Sequence, residues 1–105
     1  MTTLSVSDAI DWVAAIFVRC GCNAANARSV PVALVSAEAD GLKGHGLSRI
    51  PTYLAMVRSG KVDGTARPSS TRPRPGVLAI DAGNGFAYPA IELAVAELPA
   101  LAAAQ

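Results

Sequence analysis

The chain has 105 residues with charged residues at 16% of positions and a formal net charge of +1, so it fits one small domain and offers no electrostatic footprint for nucleic acid or an anionic membrane. Half of it is hydrophobic, but 21 of those residues are Ala, which bury little area, so a thin core is expected. The longest apolar run, Trp12 to Val18, falls far short of the roughly 20 residues that span a bilayer, and Met1-Thr2-Thr3 lacks the basic start of a signal peptide; the expectation is a cytoplasmic protein with neither membrane nor nucleic-acid partner.

In chain order, Asp8 to Arg19 places Ile10, Val13, Ala14 and Phe17 at helical spacing, with Ser5 or Ser7 to cap the helix and Gly21 to stop it. Ala27, Val30, Leu34 and Ala37 mark the buried face of a second helix capped by Asn23, and Pro31 within that pattern predicts a kink or a late start. Between the two, Cys20 and Cys22 are too close in sequence for an unstrained disulfide, and with a single histidine the chain lacks four ligands at structural metal spacing. Reduced thiols and no metal are expected.

Three glycines between Asp40 and Gly46 predict a loop. Periodicity resumes with Leu47, Ile50, Leu54 and Val57, which predicts a third helix of about ten residues, with Ser48 as its N-cap, Pro51 in its first turn, Met56 in core or interface and Gly60 at its end. From Lys61 to Gly76 the Arg-Pro pairs favour extended backbone, so 61–76 reads as a connector or edge segment within a single domain, 1–105, with Arg67, Arg72 and Arg74 solvated. Val77 to Asp81 reads as a strand ended by the Gly83-Asn84-Gly85 turn; it needs a neighbour, either residues around Pro68 to Thr71 or a segment the chain lacks. Ile91, Ala94, Val95 and Leu98 describe a fourth helix, with Pro89 in its first turn and Pro99 as its end. The fold class is α+β, mostly helical, with three to four helices and a short strand or β-hairpin near 77–86.

His45, Arg49 and Tyr53 recur every four residues, so a loop feeding directly into the third helix would set them within roughly 80° on one side of its start. An imidazole that titrates near neutrality, a guanidinium that grips carboxylate by two parallel bonds and a phenol make a coherent set for substrate binding and proton transfer. The competing reading makes His45 a helix-capping loop residue, Arg49 a solvated charge and Tyr53 core edge. Ser48 lacks the surroundings of a nucleophile, and Gly83-Asn84-Gly85 lacks the rest of a dinucleotide fingerprint.

Ala37-Glu38-Ala39-Asp40-Gly41-Leu42, then His45-Gly46-Leu47-Ser48-Arg49-Ile50-Pro51-Thr52-Tyr53-Leu54, Arg58-Ser59-Gly60-Lys61 and Ile80-Asp81-Ala82-Gly83-Asn84-Gly85-Phe86 together resemble the N-terminal part of the malate/L-lactate dehydrogenase family. These are NAD(P)-dependent oxidoreductases without a Rossmann fold that act on malate, lactate, sulfolactate, ureidoglycolate or cyclic imino acids. The resemblance implies that His45 is a catalytic proton donor or acceptor, that Arg49 binds the substrate carboxylate and that Tyr53 lines the pocket. The implied ligands are a small 2-hydroxy or 2-oxo acid and NAD or NADP, the cofactor site being incomplete in this chain. The family carries Ser before the His, where this chain has Gly44, and its members are several times longer, with a further histidine implicated in catalysis beyond the stretch matched here. The chain is therefore expected to be a fragment, inactive alone, forming a homodimer or associating with a missing C-terminal portion. The rival from another class is a small non-catalytic helical module for interaction or oligomerisation.

Overall fold

Helix formation begins at the first cap in the sequence. In the computed structural model, which describes residues 3–104, Ser5 Oγ accepts the Asp8 amide at 3.1 Å and α1 runs Val6–Arg19. Ile10, Val13 and Phe17 are buried on one face, as the spacing predicts. Gly21, at φ 98°, ends the helix by letting the Cys22 amide reach the Phe17 carbonyl at 3.1 Å.

Helix α2 covers Asn26–Ala39 and buries Ala27, Val30, Leu34 and Val35 in the same core. The expected late start at Pro31 is corrected. Asn23 Oδ1 accepts the Asn26 amide and the Asn23 carbonyl accepts that of Ala27, both at 2.9 Å, so the first turn is organised well before the proline. Pro31 is fully buried inside the helix and removes only the donor for the Ala27 carbonyl.

Val13, Phe17, Val30 and Leu34 have no exposed surface and form the thin centre of the core. Helix α3 (Ile50–Arg58) leans against it through half-buried Ile50, Tyr53, Leu54 and Val57, and Phe86 closes it. The Phe86 ring lies 6.1 Å from Phe17, edge to face, and 5.4 Å from Tyr53. Ser48 does not cap α3: its hydroxyl donates to the Lys43 carbonyl at 2.7 Å, because residues 47–49 already turn as a separate 3-10 segment.

Val77–Asp81 forms the predicted strand, β2, and its neighbour is β1 (Ser69–Arg74), which includes the proposed Thr71 edge. The two pair antiparallel with Ser69 opposite Asp81 and Arg74 opposite Val77, and the register breaks between Thr71 and Arg74, around Pro73. The hairpin turns at Pro75-Gly76, Gly76 standing at φ 76°, so it occupies 69–81 rather than the stretch out to residue 86. Helix α4 (Ala87–Ala103) continues through Pro99 instead of ending there, and closes with the Ala104 amide on the Ala100 carbonyl at 3.1 Å. One internal proline costs a single ladder bond, to Val95, and the turns on both sides remain satisfied. Ser29 Oγ donates to Glu92 Oε1 at 2.6 Å and ties α2 to α4.

The chain is elongated, with a radius of gyration of 15.4 Å against about 13 Å for a compact domain of this length. Ile91, Val95 and Leu98 of α4 are exposed, as are Trp12 and Val18 of α1. No helix among the described residues is long and apolar enough to cross a membrane.

A buried polar knot holds the loop regions to this frame. Asn26, 1% exposed, donates through Nδ2 to Asn23 Oδ1 at 2.8 Å and to the Ala66 carbonyl at 2.9 Å, while Asn23 Nδ2 donates to the Thr65 carbonyl at 3.0 Å. The tract leading to the hairpin is thereby fixed to the start of α2. Asn26→Ala leaves the buried Ala66 carbonyl without its donor and should cost about 1–3 kcal/mol, read as a lower urea midpoint with unchanged slope; an unchanged midpoint would show the knot to be dispensable.

Candidate functional site

The site lies on the connection from α2 to α3. Helix α2 ends at Asp40, and Gly41 at φ 83° lets its own amide reach the Glu38 carbonyl (3.1 Å) and the Leu42 amide reach that of Ala37 (2.9 Å). The chain then makes a 3-10 turn at Lys43–His45, an extended step at Gly46 (φ −103°, ψ −135°), and a second 3-10 turn at Leu47–Arg49 that runs into α3.

Gly46 therefore breaks the helical register on which the four-residue spacing depended. Arg49 and Tyr53 share α3 and its entrance, but His45 does not lie on that helix face. A different contact brings Arg49 to the His45 loop: its Nε donates to the Gly44 carbonyl at 2.7 Å. Arg49 is exposed, and this is its only side-chain hydrogen bond among the described residues, so both terminal amino groups are free. His45 is also exposed and its ring makes no hydrogen bond among the described residues, so it caps no helix.

Tyr53 is half-buried, with its hydroxyl 2.9 Å from that of Tyr88, near the start of α4. Burial, then the bond to Tyr53, pushes the Tyr88 phenol up to about 12, while the nearby Arg49 charge acts the other way. Sequence reasoning missed Tyr88, which lies 35 residues from Tyr53 with no periodic relation to it; the one available signal was an aromatic two residues after Phe86. It also passed over Glu38 as a site residue. Glu38 Oε1 accepts the Leu47 amide at 2.9 Å and Oε2 pairs with Lys43 Nζ at 2.6 Å, and these bonds, Lys43 first, hold its carboxyl below the ordinary range.

The remaining candidates separate from this site. Cys20 and Cys22 are free thiols, and burial raises Cys22 above its ordinary value, with Cys20 adding to the effect. Among the described residues no three metal-ligating side chains cluster. In the Gly83-Asn84-Gly85 turn the Gly83 amide is spent on Asp81 Oδ1 (2.8 Å) and the Gly85 amide on the Ala82 carbonyl (3.0 Å). A turn whose amides already face a carboxylate and a carbonyl does not cradle a phosphate, so these residues do not fit a dinucleotide. Arg67, Arg72 and Arg74 lie exposed on and before β1, as expected of solvated charges.

The chain matches the malate/L-lactate dehydrogenase family over residues 4–105. A Δ1-pyrroline-2-carboxylate/Δ1-piperideine-2-carboxylate reductase of Pseudomonas putida is 42% identical over 80 residues, 76% of this chain and 24% of that protein. A (2R)-3-sulfolactate dehydrogenase (NADP(+)) of Chromohalobacter salexigens is 51% identical over 59 residues, 56% of this chain and 17% of that one. The crystal structure of Δ1-piperideine-2-carboxylate reductase from Pseudomonas syringae superposes with a TM-score of 0.94 at 36% identity, covering 99% of this chain and 31% of that one. The matched stretch thus spans between 17% and 31% of these relatives. With a family match over nearly its whole length and the same arrangement of helices and hairpin, the chain belongs to the malate/L-lactate dehydrogenase family.

Proposed function

We propose that this chain forms the substrate-carboxylate side of an NAD(P)-dependent oxidoreductase that works at the carbon next to a carboxylate. The observation that carries the reading is the Arg49 Nε bond to the Gly44 carbonyl, which fixes the guanidinium beside the His45 loop and leaves its two terminal amino groups for a bidentate clamp. Fixing the carboxylate aims the neighbouring carbon and its oxygen or nitrogen toward the His45 side of the site. His45 then gives a proton to that nitrogen or oxygen in reduction, and takes the hydroxyl proton in oxidation. Hydride chemistry belongs to the nicotinamide; its phosphate site is left to the greater length found in the relatives, and this chain alone is inactive. The 42%-identical reductase of P. putida favours a cyclic imino acid over malate or lactate as substrate. The free thiols Cys20 and Cys22 accord with a cytoplasmic setting.

Tyr53 and Tyr88 flank the site with paired hydroxyls, and the Tyr88 phenol, pushed up to about 12 by burial and the bond to Tyr53, keeps its proton at working pH. The second reading, a non-catalytic helical interaction module formed as a homodimer, is favoured by the exposed Ile91, Val95 and Leu98 of α4. Light scattering separates the two assemblies.

Pyrrole-2-carboxylate, a planar analogue of the cyclic imino acids, tests the carboxylate side directly. Titrated into the 15N-labelled chain, it should shift the Arg49 and His45 signals, and Arg49→Ala should weaken binding by roughly tenfold or more, the loss expected for hydrogen bonds to a charged group. Equal binding by wild type and Arg49→Ala would remove the clamp. With NADPH or NADH and Δ1-piperideine-2-carboxylate, the chain by itself should give no oxidation above background; robust turnover would overturn the assignment of the cofactor site to other residues. Alkaline unfolding reads the tyrosine pair. Tyr88 loses its proton near pH 10 when unfolded and near 12 when folded, so between these values the unfolded state binds fewer protons and stability falls as pH rises. Tyr88→Phe should flatten that decline, and an unchanged slope would show that Tyr88 does not cause it.

A further inference from the structure

The loop that carries His45 is short and rich in glycine, so its shape depends on the bonds that cross it. Locally these are the His45 amide on the Leu42 carbonyl at 3.0 Å, the Ser48 hydroxyl on the Lys43 carbonyl at 2.7 Å, the Arg49 amide on the Gly46 carbonyl at 3.0 Å and Arg49 Nε on the Gly44 carbonyl at 2.7 Å. The last turn of α2 adds the bonds that tie the loop to a helix of the core. Glu38 takes the Leu47 amide on one oxygen at 2.9 Å and the Lys43 ammonium on the other at 2.6 Å, so a single carboxylate touches the loop on both sides of His45. Gly46 shows how closely the loop is pressed to that helix: a Cβ there would lie 3.0 Å from the Glu38 Cα and closer still to its carboxylate.

We infer that Glu38 is a positioning residue for the site: its carboxylate brackets residues 43–47 and thereby sets His45 and, through the Gly44 carbonyl, the Arg49 guanidinium. The chain of bonds is continuous. Glu38 fixes Lys43 and Leu47, the Gly44 carbonyl between them accepts from Arg49 Nε, and the free end of Arg49 faces solvent. Lys43 is largely exposed, so its ion pair adds little by itself; the Leu47 amide bond, with the Glu38 side chain only 22% exposed, is the firmer half of the bracket.

This inference rests on the proposed carboxylate-binding role of Arg49, and its test separates the two. Amide hydrogen exchange and pyrrole-2-carboxylate titration are measured together on the full chain. In Glu38→Ala the Leu47 and His45 amides should exchange at least tenfold faster while Val13 and Leu34 in the core are unchanged, and carboxylate affinity should drop about tenfold. Glu38→Gln keeps an acceptor for the Leu47 amide and loses only its own negative charge opposite Lys43, so it should stay within about threefold of wild type, a rescue that a merely charged surface role would not give. Unchanged Leu47 exchange in Glu38→Ala overturns the bracket. A loosened loop with wild-type affinity, in a chain where Arg49→Ala abolishes binding, overturns the positioning role and leaves the clamp intact. A wild-type chain that binds no carboxylate overturns the clamp and the positioning role together. Should Glu38→Ala fail to fold, Glu38→Met, which fills similar space but offers the Leu47 amide no acceptor oxygen, is read in its place: Leu47 and His45 exchange at least tenfold faster supports the bracket, and wild-type exchange overturns it.

Discussion

The ring of Phe86 occupies the one place where the helical core and the site meet. It stands 6.1 Å from Phe17 of α1 and 5.4 Å from Tyr53 of α3, and it immediately precedes α4, which carries Tyr88. Without that wedge, α3 would rest on the core only through aliphatic side chains that are themselves half-exposed, and the Tyr53–Tyr88 pair would have no fixed separation. The aromatic series from Phe17 through Phe86 and Tyr53 to Tyr88 carries the rigidity of the two buried helices outward to a surface of short turns and glycines. Each ring buries a large area with few rotatable bonds, which suits a core that has so few large side chains.

Local signals in the sequence were legible wherever the chemistry is local. The Ser5 cap, the Gly21 and Gly60 endings, the strand at Val77–Asp81 and the apolar stripe of α1 all depend on residues within one or two turns. The late start expected at Pro31 and the stop expected at Pro99 failed for a consistent reason. Pro31 and Pro99 each remove one donor, and a helix whose neighbouring turns are intact or packed tolerates that loss. The geometry of the proposed site was not legible from the spacing of its residues. His45 and Arg49 are neighbours because an arginine folds back onto a carbonyl five residues earlier, and Gly46 removes the helical phase that the spacing assumed. Tyr88 and Glu38 join the site through tertiary contacts with partners 35 and 9 residues away, which no periodicity encodes.

The exposed surfaces have a pattern that bears on the length of the relatives. Helix α4 is apolar on more than one side, yet only Pro89 and Leu101 are buried, and Ile91, Val95 and Leu98 face outward. A helix that is hydrophobic all round is ordinarily buried, and a two-stranded hairpin is marginal without a further strand or a helix laid on it. Both features leave apolar surface and a strand edge open in a chain that matches between 17% and 31% of the length of the reported relatives. The interior of α1 and α2 needs no such help, since Val13, Phe17, Val30 and Leu34 already exclude water from one another.

The two glycines that flank His45 do different work, and the difference separates shape from chemistry. At Gly46 a Cβ would press on the Glu38 backbone at 3.0 Å and meet its carboxylate closer still, so any side chain there would push the loop off α2 or displace the Glu38 bracket. At Gly44 a Cβ would meet nothing within 4 Å, and the backbone is not in the left-handed region. Gly46 is therefore set by the close packing of the loop on α2, whereas Gly44 stands where the family pattern carries Ser in space that would accept it. The loop keeps the backbone path that presents His45 while lacking a hydroxyl beside it. In the proposed site, binding and orientation therefore rest on the Arg49 guanidinium and its Gly44 carbonyl anchor, a contact that any residue at position 44 would preserve because it is made by the main chain.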